Sequence, residues 1–183
     1  MLELRRQAFH LLLGIIIVIL VNYYILNLKI LLIVLFIGII LSFLCNYLKI
    51  PVIEWFLEKF DRKNANGLGV VTYFIGVIIV LGFFGKDIAL ASILILALGD
   101  SFCHLGRFGK IKNPLNKKKL IEGSIIGIIA ATIAASFFVP IYAAFFGSLI
   151  GMTFESLDLK IRGRELDDNI LIPLSSAIVM SLI

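Results

Sequence analysis

The stretch AFHLLLGIIIVILVNYYIL, residues 8–26, decides the class of fold. It carries no formal charge, and its polar groups are one imidazole, one amide and two phenols. A helix needs roughly 20 apolar residues to cross a hydrocarbon layer of about 30 Å, and this run is long enough. It is too long for the apolar core of a secretory leader and has no small-residue cleavage site after it, so it is expected to stay in the mature chain. Six further runs of the same character follow, at 30–48, 68–84, 87–104, 121–138, 140–157 and 169–183. The last four are short or polar at one end, which tilted or cavity-lining helices tolerate. Isoleucine is abundant, but runs of this length are helices rather than strands.

Composition agrees. Hydrophobic residues make up 61% of the 183, charged residues 16%, and mean hydropathy is +1.08. Soluble domains are about half apolar and about a quarter charged, so a soluble globular class is excluded. The two cysteines, Cys45 and Cys103, lie in or beside apolar runs, where a disulfide framework is not expected. The expected architecture is one all-α domain over 1–183: a polytopic transmembrane helix bundle of about seven spans.

The basic residues orient it. With the N-terminus inside, the cytoplasmic segments are 1–7, 49–67, 105–120 and 158–168, and they hold all the lysines and arginines except Lys29 and Lys86. That asymmetry predicts an N-in, C-out topology. It also accounts for the net charge of +5 without nucleic acid. Segment 49–66, KIPVIEWFLEKFDRKNAN, is too polar to span; Trp55 and alternating charges predict an interfacial amphipathic helix. Small residues at Gly123, Gly127, Ala130, Ala131, Ala134 and Ala135, and again at Gly147 and Gly151, predict close packing of spans five and six.

Ionisable groups at the edge of a span are costly, about 2.5–3.5 kcal/mol each at a helix centre, yet here they recur on one side. Glu3, Arg6 and His10 enter span one; Asp100 and His104 end span four. Lys119 and Glu122 open span five, Glu155 ends span six, and Asp167, Asp168 and Asn169 open span seven. Polar groups gathered at the cytoplasmic edge, rather than the bilayer midplane, argue against a transporter. Carboxylates interleaved with cations suit Mg²⁺ bound together with nucleotide phosphates. The glycine-rich stretch GDSFCHLGRFGK, residues 99–110, allows tight turns near an anion, but Ile111 after Lys110 rules out a Walker A loop. His104 beside Cys103 has no second Cys/His pair, so zinc is not expected.

The pattern Gly99-Asp100, Gly106-Arg107, Gly109-Lys110 and then Lys119-x-x-Glu122-Gly123-Ser124 resembles the core of the CTP-dependent lipid kinases. These include dolichol (polyprenol) kinase, phytol kinase and CTP-dependent diacylglycerol kinase, distant relatives of phosphatidate cytidylyltransferase. Glu3-x-x-Arg6-x-x-x-His10 resembles their opening helix. Glu155 and Asp167-Asp168-Asn169 with Pro173 resemble their final element, and Asn66-Gly67 with Tyr73 a middle one. The sequence departs from the pattern at Ser101-Phe102, at Leu120 and at Gln7.

The resemblance implies a phosphotransferase at the cytoplasmic membrane face that moves phosphate from CTP to a membrane isoprenoid alcohol of the dolichol or polyprenol type. Asp100, Glu122, Asp168 and His10 are the expected catalytic residues. Arg6, Gly99, Arg107, Lys110, Lys119 and Asn169 would bind nucleotide, and Asp100, Glu155, Asp168 and Asp167 would hold Mg²⁺. The alternatives are a diacylglycerol kinase, a cytidylyltransferase making a CDP-lipid from a lipid phosphate, and a small transporter.

Overall fold

The structure is a computed structural model that describes residues 2–45, 47–48, 51–60, 67–104, 109–114, 116, 119–157, 160–161 and 164–183. The expectations for Arg107, Gly106, Lys117, Lys118 and Asn66 lie outside them.

Each apolar run contains helix. The elements are α1 (Leu2–Asn22), α2 (Leu28–Leu44), α3 (Pro51–Phe60), α4 (Leu68–Phe83), α5 (Lys86–Leu94), α6 (Ser101–Cys103), α7 (Ile121–Ala135), α8 (Ile141–Ser156) and α9 (Asp168–Leu182). Helix α1 starts six residues before the apolar run, with Glu3 in its first turn, where an acid complements the helix dipole. It ends at Asn22 and turns through Tyr24 at φ 60°. Lys86 closes that end, donating to the Asn22 carbonyl (2.9 Å) and lying 3.8 Å over the Tyr24 ring. Helices α5 and α6 are joined by π-helical turns, Ile95–Asp100, so the fourth run is one helical path that widens just before Asp100. Such widened turns are frequent at functional sites.

Beyond the helices there is one small antiparallel pair, β1 (Lys160–Ile161) with β2 (Arg164–Glu165), bridging α8 and α9. The loop before α7 also folds back on itself: Asn113 N–H donates to the Lys119 carbonyl (2.9 Å) and Ile121 N–H to Ile111 (3.0 Å). That fold carries Lys119 to the end of α8.

Helices α4, α5, α7, α8 and α9 and the π turns form the packed centre, with α1 against the π turns and α2 against α4. Missing side chains set the closest approaches. A Cβ on Gly76 would lie 2.1 Å from the Asn169 carbonyl, so α4 and α9 meet there backbone to backbone. A Cβ on Gly123 would lie 2.5 Å from the Cys103 carbonyl, and one on Gly127 2.7 Å from that of Gly99. The small face expected on span five therefore packs against the π turns and α6 as well as α8.

The outside of the bundle is apolar. Helix α2 exposes Ile33, Phe36, Ile37, Ile40 and Phe43 and buries only Leu31 among its described residues. Ile129 and Ile133 on α7 and Phe145 and Phe146 on α8 are exposed as well. Among the described residues one helix, Glu3–Asn22, is long and apolar enough by itself to cross a membrane.

Candidate active site

Side chains from α1, α4, α6, α7, α8 and α9 meet at one end of the bundle through three linked groups. The first joins α1 to α6. Arg6 pairs with Glu3 (2.5 Å), one helical turn apart, and Gln7 Nε2 donates to the same Glu3 oxygen (3.2 Å). His104 Nε2 faces Glu3 Oε1 at 3.1 Å, and His104 Nδ1 donates to the Asp100 carbonyl at 3.0 Å. The Gln7 amide nitrogen lies 3.2 and 3.3 Å from the two ring nitrogens as well, so Glu3, Gln7 and the Asp100 carbonyl together hold the ring. The Asp100 carboxylate lies 3.7 Å from Nδ1, too far for a hydrogen bond. Ser101 donates to the Gln7 carbonyl (3.1 Å) and completes the seam.

The second group surrounds Glu155, which is 1% exposed at the end of α8. Lys119 donates to its carboxylate at 2.6 Å and to its backbone carbonyl. The thiol of Cys103 is 3.9 Å from the other carboxylate oxygen and the Ser156 hydroxyl 3.4 Å. Asn113 donates to Ser156 (3.2 Å), tying in the loop before α7.

The third group opens α9. Asp167 caps the helix, accepting from the Asn169 N–H (3.0 Å), and its other oxygen accepts from Thr72 of α4 (3.0 Å). Asn169 donates to the Gly69 carbonyl (3.2 Å) and to Thr72 (3.1 Å). Such a cap stabilises a helix by about 1 kcal/mol. Here it also docks α9 on α4.

These contacts sort the carboxylates. Glu3, Glu155 and Asp167 are held by protein donors. Asp100 and Asp168 accept no side-chain or backbone hydrogen bond among the described residues. The charges of Lys119, Glu155, Asp100 and Asp167 all act on Asp168, and those of Asp100 and His104 reach Glu155, so the three groups share one electrostatic neighbourhood. Among the described residues, two buried polar atoms beside it, Arg6 Nε and Gln7 Oε1, have no hydrogen-bond partner. Buried polar atoms are normally satisfied, so these two suit a polar ligand.

Of the expected site residues, Arg6, Asp100, Lys119, Glu155, Asp167, Asp168 and Asn169 come together. His10 is close by, buried, with its ring edge-on to Tyr73 (5.2 Å) and its carbonyl accepting from the Tyr73 hydroxyl (3.4 Å). Glu122 and Lys110 meet at the loop before α7: the Glu122 carboxylate accepts from the Lys110 and Ile111 backbone N–H groups (2.8 and 3.1 Å) and clamps the loop onto α7. Gly99 is buried in the helix contact, where a Cβ would come 2.6 Å from Met152 sulfur. The four carboxylates named for metal are divided: among the described residues no three His, Cys, Asp or Glu side chains converge as a cage.

Gln7, Thr72 and Asn113 were not among the expected residues, and His104 was expected at the span edge but given no role in the site. His104 stands four residues after Asp100 and Gln7 four after Glu3, a spacing that puts each pair on one helix face. Thr72 and Asn113 act across the chain, and no local pattern marks them.

No family model and no solved structure matches the chain. It is 33% identical to an uncharacterized protein of Methanocaldococcus jannaschii, over 98% of this chain and 93% of that one. It is 31% identical to the CTP-dependent diacylglycerol kinase 1 of Schizosaccharomyces pombe, over 69% of this chain and 65% of the kinase. With the kinase of the same name from Eremothecium gossypii it shares 27% identity, over 74% of this chain and 50% of the kinase. The chain belongs to the CTP-dependent lipid kinase family. It spans about half to two thirds of the length of these kinases. Within the family frame, Asp100 and Asp168 are the carboxylates that accept no hydrogen bond among the described residues, with His104 3.7 Å from the first and the charge of Lys119 acting on the second.

Proposed function

We propose that this chain is a multi-pass membrane enzyme that transfers the γ-phosphoryl group of CTP to the hydroxyl of a membrane lipid alcohol, releasing CDP and a proton. The observation that carries the reading is that Asp100 and Asp168 accept no hydrogen bond among the described residues, with His104 beside the first and the charge of Lys119 acting on the second, in a chain of this family.

The residues fit Mg²⁺. This ion binds through one or two carboxylates plus phosphate oxygens and waters, not through a closed protein cage. Asp100 and Asp168 supply such a partial set, and bound Mg²⁺ would offset charge on the β- and γ-phosphates. Lys119 and Arg6 face the same phosphates as charged donors, and Asn169 orients the start of α9. Glu122 contributes by holding the loop that carries Lys110. His10 of α1, packed edge-on to Tyr73 of α4, is the side chain we assign to take the hydroxyl proton. A loose transition state asks little of such a base.

The apolar exterior supports seven spans with this site at the cytoplasmic edge. Helices of 15–17 residues measure roughly 23–26 Å, short of about 30 Å, so interfacial turns or local thinning complete the crossing. A membrane-impermeant amine reagent applied from outside should label Lys29 and Lys86 and leave Lys119 untouched; the reverse pattern would invert the topology.

Two acceptors are in view. Isoprenoid alcohols follow from the resemblance of the motifs, and diacylglycerol from the activity that the named relatives carry. Protein in lipid, given CTP and Mg²⁺, should phosphorylate at least one of diacylglycerol, polyprenol or geranylgeraniol and leave phosphatidate unconverted. A CDP-lipid made from phosphatidate would replace the kinase with a cytidylyltransferase.

A further inference from the structure

Helix α2 is held on one side only, yet part of its length is covered. Leu41 and Ser42 of α2, Ile53 and Leu57 of α3 and Val70 and Val71 of α4 line a cavity of about 130 Å³. An apolar cavity of roughly 150 Å³ is enough to bind a benzene-sized molecule, so this one takes a short stretch of hydrocarbon, not a whole lipid. Gly38 and Gly67 also line it. A Cβ on Gly38 would touch nothing within 4 Å, so this wall is open space rather than packed glycine.

Three observations place a lipid chain there. First, the cavity adjoins the polar site: Val70 and Val71 lie between Gly69, whose carbonyl accepts from Asn169, and Thr72, which binds Asp167. Second, the lid is amphipathic. Ile53 and Leu57 face inward, while Trp55 is 54% exposed with Lys59 4.6 Å over its ring, an arrangement suited to headgroup depth. Third, the neighbouring faces of α2 are exposed hydrocarbon, so a chain lying in the bilayer meets the cavity from the side.

We propose that this groove between α2, α3 and α4 holds the headgroup-proximal methylenes of the lipid acceptor, so that its hydroxyl reaches the Asp100–Asp168 site over the first turns of α4. The proposal rests on the lipid-kinase reading. It assigns acceptor recognition to residues that, Gly67 apart, lie outside the motifs of the sequence, and to hydrocarbon contact rather than headgroup chemistry.

The test fills the groove. Gly38→Leu adds a side chain to open space and removes a helix-interior glycine, so folding is not put at risk. The probe is a diacylglycerol with a diazirine near the glycerol end of one acyl chain. In the unaltered protein, adducts should concentrate on residues 38–45, 53–57 and 67–71, and Gly38→Leu should lower their yield about tenfold, the effect of losing about two buried methylenes. KM for the long-chain acceptor should rise by a similar factor, with kcat and the KM for CTP unchanged. Adducts spread evenly over the outer faces of α2, α7 and α8, unaltered by Gly38→Leu, would overturn the proposal. An unchanged KM would do the same. Groove labelling without phosphate transfer from CTP would uphold lipid binding there and overturn the catalytic reading on its own.

Discussion

Replacing Asp100 by Asn is expected to lower phosphoryl transfer at least about 10³-fold while the protein still folds and inserts, the scale of losing a group that stabilises transferring charge. The change is isosteric. His104 bonds the backbone carbonyl of residue 100 rather than its carboxylate, so the seam from Glu3 through His104 keeps its hydrogen bonds. What is lost is one of two carboxylates that accept no hydrogen bond among the described residues, in a neighbourhood where Glu155 and Asp167 are already committed to Lys119 and to the α9 cap. Turnover measured beside thermal unfolding separates the two effects. An enzyme with normal turnover and Asn at 100 would remove Asp100 from the chemistry. A loss of folding would make it a structural partner of His104.

The second large effect is on stability. Lys119→Met leaves the Glu155 carboxylate 1% exposed and without its cation. Breaking a buried pair from one side costs about 3–5 kcal/mol, because the remaining charge is left without a counter-charge, here with only the Cys103 thiol and the Ser156 hydroxyl beside it. The reverse change, Glu155→Gln, is milder, since Lys119 is 23% exposed and can turn to solvent. Adding Glu155→Gln to Lys119→Met should therefore recover most of the stability and none of the activity, if Lys119 also faces phosphate. Unfolding midpoints of the four proteins give this cycle. Equal losses in both single variants that simply add would show the pair to be uncoupled.

The helices were legible because hydrophobic runs near 15–20 residues leave no other regular structure. Their ends were less so: α1 stops at Asn22 and α2 at Leu44, each about four residues before the apolar runs 8–26 and 30–48 do. The widened path at Ile95–Asp100 was not legible, since ILALGD would serve an ordinary helix equally well. Its cause is tertiary: Gly99, Gly123 and Gly127 let α7 press against it. In the site, sequence marked the charged residues but could not assign their work. Glu122 and Asp100 both sit at a helix edge in a glycine-rich setting, yet one clamps a loop through two backbone N–H groups and the other accepts no hydrogen bond among the described residues. That difference depends on how residues 109–121 fold back, which spacing does not encode. Asp167 and Asp168 are adjacent, and only the cap geometry separates a helix-capping acid from one left for a ligand.

The central claim is that phosphate from CTP reaches a lipid hydroxyl through Asp100 and Asp168. The measurement that tests it most directly follows CTP labelled separately in its α- and γ-phosphates, with the protein reconstituted in bilayers holding diacylglycerol or polyprenol. The account predicts γ-label in a lipid monophosphate and α-label in CDP, with both signals lost in Asp100→Asn and in Asp168→Asn. α-Label in the lipid, or γ-label transferred undiminished by both variants, would contradict it.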